Sequence, residues 1–175
     1  MTEKKTLVPP DAKALRQTLG RFATGVTVIT TTGEDGERYG MTANSLTSVS
    51  LEPPLLLVCF SWGTRTADAV LESRKFGVNI LSGRQLAISK RFSTQGADHF
   101  ADVQTEDGPL GVPLISNSVA QLVCTVSQEI EAGDHVIVVG EIVHAYFRDG
   151  QPLCFFGGSY GDFRTRGEVA DFWYF

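Results

Sequence analysis

In this chain the apolar runs are separated by turn signals rather than by helices, and that spacing limits its architecture more than any other feature. VTVITTT (26–32), YGMTANSL (39–46), LLLVCF (55–60), FGVNIL (76–81) and the segments 119–130, 135–147 and 152–156 all read as strands. Between them stand Gly33 with Asp35-Gly36, Pro53-Pro54, Gly133-Asp134 and Asp149-Gly150. Asp-Gly and Gly-Asp pairs between β-prone runs are hairpin signals, and a proline pair stops a strand from running on. A doubly wound parallel sheet needs a crossover helix after nearly every strand. Helical spacing occurs in only three places, so the expected fold is mainly β, a closed or nearly closed barrel with two or three flanking helices.

The first ten residues read as a flexible arm, and residues 11–175 as a single domain. A helix starts near Asp11, a side chain suited to the N-cap, and Leu15, Leu19 and Phe22 give it one apolar face. TADAVLESR (66–74) is a second helix, with Thr66 as its candidate cap, and residues 84–93 are a third. Residues 95–117 read as loop. A net charge of −5 argues against a nucleic-acid footprint. No apolar run approaches the ~20 residues that span a bilayer, and MTEKKTLVPP lacks the apolar stretch of a secretory leader. Cys59, Cys124 and Cys154 lie far apart in apolar runs, which reads as buried reduced thiols in a cytoplasmic protein. His99, His135 and His144 show no paired ligand spacing, so no metal is expected.

Neither common phosphate-binding glycine motif is present. Gly157-Gly158-Ser159-Tyr160-Gly161 matches a nucleophile elbow in letters, but no histidine follows it, and it reads better as a glycine turn. The densest polar stretch is TANSLTSVS (42–50). As one strand it places Thr42, Asn44, Ser48 and Ser50 on one face, and Ser45 and Thr47 on the other. Such a stretch suits hydrogen bonding to a phosphate or a heteroaromatic edge, and equally a hydroxyl-rich solvated edge strand. Arg65, Lys90 and Arg91 offer positive charge for a phosphate, or else a solvated helix face. His135 follows Gly133-Asp134, either as a ligand contact or as a turn histidine held by Asp134.

Several motifs in order then carry a resemblance. They are Arg21-Phe22-Ala23-Thr24-Gly25-Val26-Thr27-Val28, Gly40-Met41-Thr42-Ala43-Asn44-Ser45 with Thr47-Ser48-Val49-Ser50, Pro53-Pro54, Phe76-Gly77-Val78-Asn79-Ile80-Leu81, Arg91-Phe92-Ser93, Gly133-Asp134-His135 and Gly158-Ser159-Tyr160. Together, over about residues 14–160, they resemble the flavin reductase family that supplies reduced flavin to two-component monooxygenases.

The resemblance implies a split β-barrel homodimer that binds FMN or FAD and uses NADH or NADPH. The reduced flavin then passes to a partner monooxygenase component. It places Thr42, Ala43, Asn44, Ser45, Thr47, Ser48 and Ser50 along the flavin. Cys59, Phe60, Ser61, Arg65 and Thr66 continue that site, and Lys90, Arg91, Phe92 and Ser93 close it. His135 lies near the nicotinamide, with its imidazole holding the carboxamide or a nearby phosphate, and Tyr160 lines the same pocket. Hydride transfer between two cofactors needs no protein nucleophile, so no catalytic side chain is expected beyond positioning. Two other readings are compatible with the same barrel: a flavoprotein that keeps its flavin and reduces another acceptor, and a non-catalytic flavin- or haem-binding module.

Overall fold

The computed structural model describes residues 10–96, 98–164 and 167. Most of the expected arm, and the Phe172-Trp173-Tyr174-Phe175 tail, lie outside them. In chain order the elements are α1 (Ala12–Leu19), β1 (Thr24–Gly25), β2 (Thr27–Thr32), β3 (Arg38–Ala43), β4 (Thr47–Leu51), β5 (Pro54–Ser61), α2 (Arg65–Ser73), β6 (Lys75–Ile80), α3 (Leu86–Phe92), β7 (Thr105–Asp107), β8 (Pro113–Ile115), β9 (Ala120–Ala132), β10 (His135–Phe147), β11 (Leu153–Phe156) and β12 (Ser159–Asp162).

The architecture is antiparallel β-sheet flanked by helices. Seven strands form one sheet in the order β3-β2-β6-β9-β10-β5-β4, and β1, β11 and β12 form a smaller one. The hairpin signals explain the pairing. Asp35 Oδ1 accepts the Glu37 N–H and closes the β2–β3 turn, with Thr32 opposite Arg38. Gly133 at φ +64° turns β9 into β10, with Ala132 opposite His135. Gly157 and Gly158, at φ +58° and +84°, make the β11–β12 turn, so the G-x-S-x-G letters are a hairpin.

β2 is buried along five of its six residues, threonines included. Their hydroxyls are paired: Thr27 donates to Ala43 O at 2.7 Å, Thr30 to Pro113 O at 2.6 Å and Thr31 to Lys75 O at 2.8 Å. That pairing is what makes a buried threonine tolerable, since an unsatisfied hydroxyl would cost about 1–3 kcal/mol. Along β5 the two-residue period puts Leu56, Val58 and Phe60 into the core, with Phe76, Val136 and Val138 around them. Each such side chain contributes about 1.5–3 kcal/mol.

Three local readings are corrected. TANSLTSVS is not one strand: β3 ends at Ala43, residues 44–46 turn a corner, and β4 starts at Thr47 on the opposite edge of the sheet. The cap of α2 is Thr64, not Thr66, whose side chain is buried inside the helix. The loop 95–117 contains the β7–β8 pair. The apolar face of α1 is present and Asp11 caps the helix as expected, accepting the Ala14 N–H at 2.7 Å, and among the described residues little covers that face. Leu15, Leu19 and Phe22 remain 45%, 65% and 79% exposed.

The corner constrains the sheet. Six spacings of ~4.8 Å would hold the edges of a flat seven-stranded sheet ~29 Å apart. The chain crosses from Ala43 to Thr47 with at most ~14 Å of backbone. The sheet is therefore coiled until its β3 and β4 edges come together at residues 44–46. Ser45 Oγ pins this corner to β5, donating to Cys59 O and accepting the Cys59 N–H, both at 3.1 Å.

Candidate functional site

Two groups of predicted site residues stand at or near this corner, and a third stands toward the other end of β3. The first surrounds a recess of about 210 Å³ lined by Val26, Thr42, Ala43, Asn44, Ser93, Phe155 and Tyr160. β3 brings Thr42 and Ala43, the corner brings Asn44, the C-cap of α3 is Ser93, and β12 brings Tyr160. The walls are tied together. Thr42 Oγ1 donates to Ser89 O at 2.7 Å, and Ser89 Oγ lies 2.9 Å from Tyr160 Oη. Asn44 Nδ2 donates to Thr24 Oγ1 at 3.3 Å. The spacing between β3 and α3 is set by Gly40. A Cβ there would lie 2.6 Å from Phe92 Cε1 and 3.2 Å from Ile29 O, so only glycine lets the helix sit this close.

The second group lies at the β5–β10 end. Ser61 faces His135 across the ladder. Ser61 Oγ is 3.1 Å from His135 Nε2, and Asp134 Oδ1 is 2.7 Å from His135 Nδ1. The histidine bond holds the Asp134 carboxyl below its ordinary range. Both ring nitrogens of His135 thus have partners within the protein. The third group is Arg65, at the start of α2, whose guanidinium carbon lies 5.3 Å from the centre of the Tyr39 ring. Tyr39 Oη donates to Asp35 Oδ2 at 2.6 Å, which raises the phenol and lowers the carboxyl. Arg65 therefore stands against the β2–β3 hairpin.

The remaining predicted residues divide by burial. Thr47 and Ser48 are exposed on β4, and Ser50 Oγ accepts the Glu52 N–H. Lys90 is exposed on α3, whereas Arg91 donates to Ala101 O at 2.6 Å and so fastens the following loop. Cys59 is half-buried, and burial pushes its thiol up. Phe60, Thr66 and Phe92 are packed into the interior. Phe60 and Phe92 belong to the hydrophobic core, where Phe92 meets Phe100 edge-on at 5.1 Å, and Thr66 is a buried polar residue of α2. Their side chains are buried in this structure.

Sequence reasoning missed Thr24, Val26, Ser89 and Phe155 as neighbours of the recess, whereas the Asp134–His135 contact was among its readings. Ser89 carried a usable signal, since it stands four residues before Ser93 and therefore on the same side of α3. A larger open cleft of about 960 Å³ lies at the other end of α3, around Arg84, Asp102, Arg148 and Asp162, and none of the predicted residues lines it. Among the described residues no group of three His, Cys, Asp or Glu side chains is placed to hold a metal ion.

Known proteins share both the sequence and the fold. The flavin reductase like domain family matches residues 19–164. A protein of Agrobacterium fabrum named FMN reductase (NADH) SmoA is 41% identical over 165 residues, spanning 93% of this chain and 94% of that protein. An NADH-dependent flavin reductase of Rhodococcus sp. is 40% identical over 164 residues, with 91% and 92% covered. Among solved structures, the NADH:FAD oxidoreductase SgcE6 of Streptomyces globisporus, in complex with NAD and FAD fragments, superposes with a TM-score of 0.86 at 36% identity, covering 94% of this chain and all of that one. With a matched span this long and the recess-lining motifs inside it, the chain belongs to the flavin reductase like domain family.

Proposed function

We propose that this protein is an NAD(P)H-dependent flavin reductase that passes a hydride to FMN or FAD and releases the reduced flavin to a partner monooxygenase component. The observation that carries the reading is the recess at the corner of the coiled sheet, walled by Thr42, Ala43, Asn44, Ser93 and Tyr160. These groups are neutral hydroxyls, an amide and an aromatic ring. They suit a flavin bound by several modest hydrogen bonds and then let go.

Hydride transfer asks the protein to stack the two ring systems and exclude water. The bound pair would supply the chemistry itself, a hydride passing from nicotinamide C4 to flavin N5 and leaving the dinucleotide oxidised. No side chain forms a bond in that step. The recess offers hydroxyl, amide and aromatic walls to the flavin, and Ser61 with His135 stands at the end of β5.

The coiled sheet is read as a split barrel, supported by the short link between its edge strands. The recess is smaller than the ~300–1,000 Å³ usual for a small-molecule site. A second copy would supply the missing wall, which the uncovered face of α1 also favours. No helix among the described residues is long and apolar enough to cross a membrane. With three unpaired cysteines, a reducing cytoplasmic setting is the consistent reading.

The test is turnover. The protein is mixed with NADH or NADPH and excess free FMN or FAD, and pyridine-nucleotide absorbance is followed. Many turnovers that depend on added flavin support the proposal. A protein that keeps its flavin and turns over only with another acceptor, or does not turn over at all, overturns it.

A further inference from the structure

The turn after β5 and the turn before β10 are locked together. Trp62 donates its N–H to Asp134 O at 3.2 Å, and Thr64 Oγ1 donates to Ser61 O at 3.1 Å. Ser61, His135 and Asp134 therefore sit on a fixed frame, in a line read by the distances above.

The chemistry of each group gives that line a direction. A carboxylate only accepts, so His135 Nδ1 carries the hydrogen that meets Asp134. In a neutral imidazole the other nitrogen then has a lone pair. Ser61 has one hydroxyl hydrogen, and Nε2 draws it. What Ser61 Oγ keeps for anything arriving from solvent is its lone pairs. Ser61 and His135 are each only partly buried, so the pair keeps part of its surface open to solvent.

We propose that Asp134 and His135 are positioning residues that hold Ser61 Oγ as a hydrogen-bond acceptor for an amide N–H of the bound reactants. This deepens the reductase reading and rests on it. Among the reactants two groups have that chemistry: the carboxamide NH₂ of the dinucleotide and the imide N3–H of the flavin ring. His135 acts through Ser61, which resolves how a histidine with both nitrogens engaged can serve the site. The same three side chains stand in the order of a hydrolytic relay, but the Asp134 side chain is 95% exposed, and such relays bury the acid.

The experiment compares wild type with Ser61→Ala on two pairs of reactants. One pair is NADH and its reduced 3-acetylpyridine analogue, in which a methyl replaces NH₂. The other is FMN and 3-methyl-FMN, in which the imide N–H is gone. Intrinsic reactivity cancels when each ratio of kcat/KM is compared between the two proteins. For the reactant that donates to Ser61, the ratio is expected to shrink about tenfold in Ser61→Ala, the other pair staying unchanged. Which pair responds identifies the donor. Unchanged ratios for both pairs, with wild type turning over, overturn the proposal and leave the reductase reading standing. A wild type that oxidises neither dinucleotide with any flavin sinks both.

The polarity is tested separately by long-range ¹⁵N–¹H spectra of the imidazole in the full chain at about pH 8. The Nδ1–H tautomer is expected in wild type, with its preference lost in Asp134→Asn and recovered in Asp134→Glu. An Nε2–H tautomer in wild type overturns the proposal whatever the variants do.

Discussion

Gly40→Ala should damage the recess through a residue that never touches a ligand. The added Cβ meets Phe92 at 2.6 and 2.9 Å and Ile29 O at 3.2 Å. Phe92 is buried and boxed in by the Phe100 and His99 rings, so it cannot swing aside. Relief has to come from α3 backing away from β3. Overpacking of this kind costs about 1–3 kcal/mol. Retreat of α3 also stretches the Thr42–Ser89 bond, whose net value is ~1 kcal/mol. A loss of ~2 kcal/mol predicts a melting temperature lower by roughly 4–8 °C for a chain of this size. Because α3 carries Ser89 and Ser93, flavin affinity should fall in the same variant, by about five- to tenfold if one hydrogen bond's worth is lost. Calorimetry and flavin titration read the two effects. Gly161→Ala, with open space around its Cβ, is the stability control and should stay within ~0.5 kcal/mol. Adding Phe92→Leu to Gly40→Ala should restore part of both quantities. A Gly40→Ala protein that melts with wild type would refute the close packing. One that melts early yet binds flavin normally would refute the link between strand–helix spacing and the recess.

Burial pushes the Cys124 thiol up to about 12, so a thiol reagent applied to native protein at about pH 8 should leave Cys124 unlabelled by mass spectrometry. Because its native value is raised, the related stability is complete below the unfolded thiol value and is lost as pH rises toward 12. Asp134 has the opposite sign. Its depressed carboxyl contributes stability above the ordinary carboxylate range and loses it as pH falls through the native value, so the melting difference between wild type and Asp134→Asn should close in strong acid. Light scattering should give about twice the 19.0 kDa chain mass at micromolar protein, and Leu19→Lys with Phe22→Lys should lower that mass and weaken flavin binding together.

Hairpins were the legible part of the fold, because Asp35-Gly36 and Gly133-Asp134 encode their turns in adjacent residues. The split of residues 42–50 was not legible. Extended backbone leaves a period, but which edge a strand joins depends on partners far away in sequence, and no glycine or proline marks the corner at 44–46. The β7–β8 strands are three residues each, too short for a period to show. For Phe60 the signal was present and outweighed: it falls in phase with Leu56 and Val58, so alternation alone assigns it to the core and Cys59 and Ser61 to the other side. Phe22 shows the remaining limit. An apolar helix face is visible in sequence, but whether it is covered from within the chain or by another molecule is not.

The link between the two edges of the sheet also orders the assembly of the protein. Interior strands can pair with their neighbours while β3 and β4 are still apart. The recess draws on Thr42 and Ala43 of β3, Asn44 of the corner, Ser93 after α3 and Tyr160 of β12, so it exists only once these separate parts have come together. Such non-local closure is slow to form, and the least tethered parts of a fold open first. During refolding, β-sheet signal should therefore return before flavin affinity does. In the native protein, a bound ligand should slow amide exchange most at residues 44–46, where the ligand and the seam share the same few atoms.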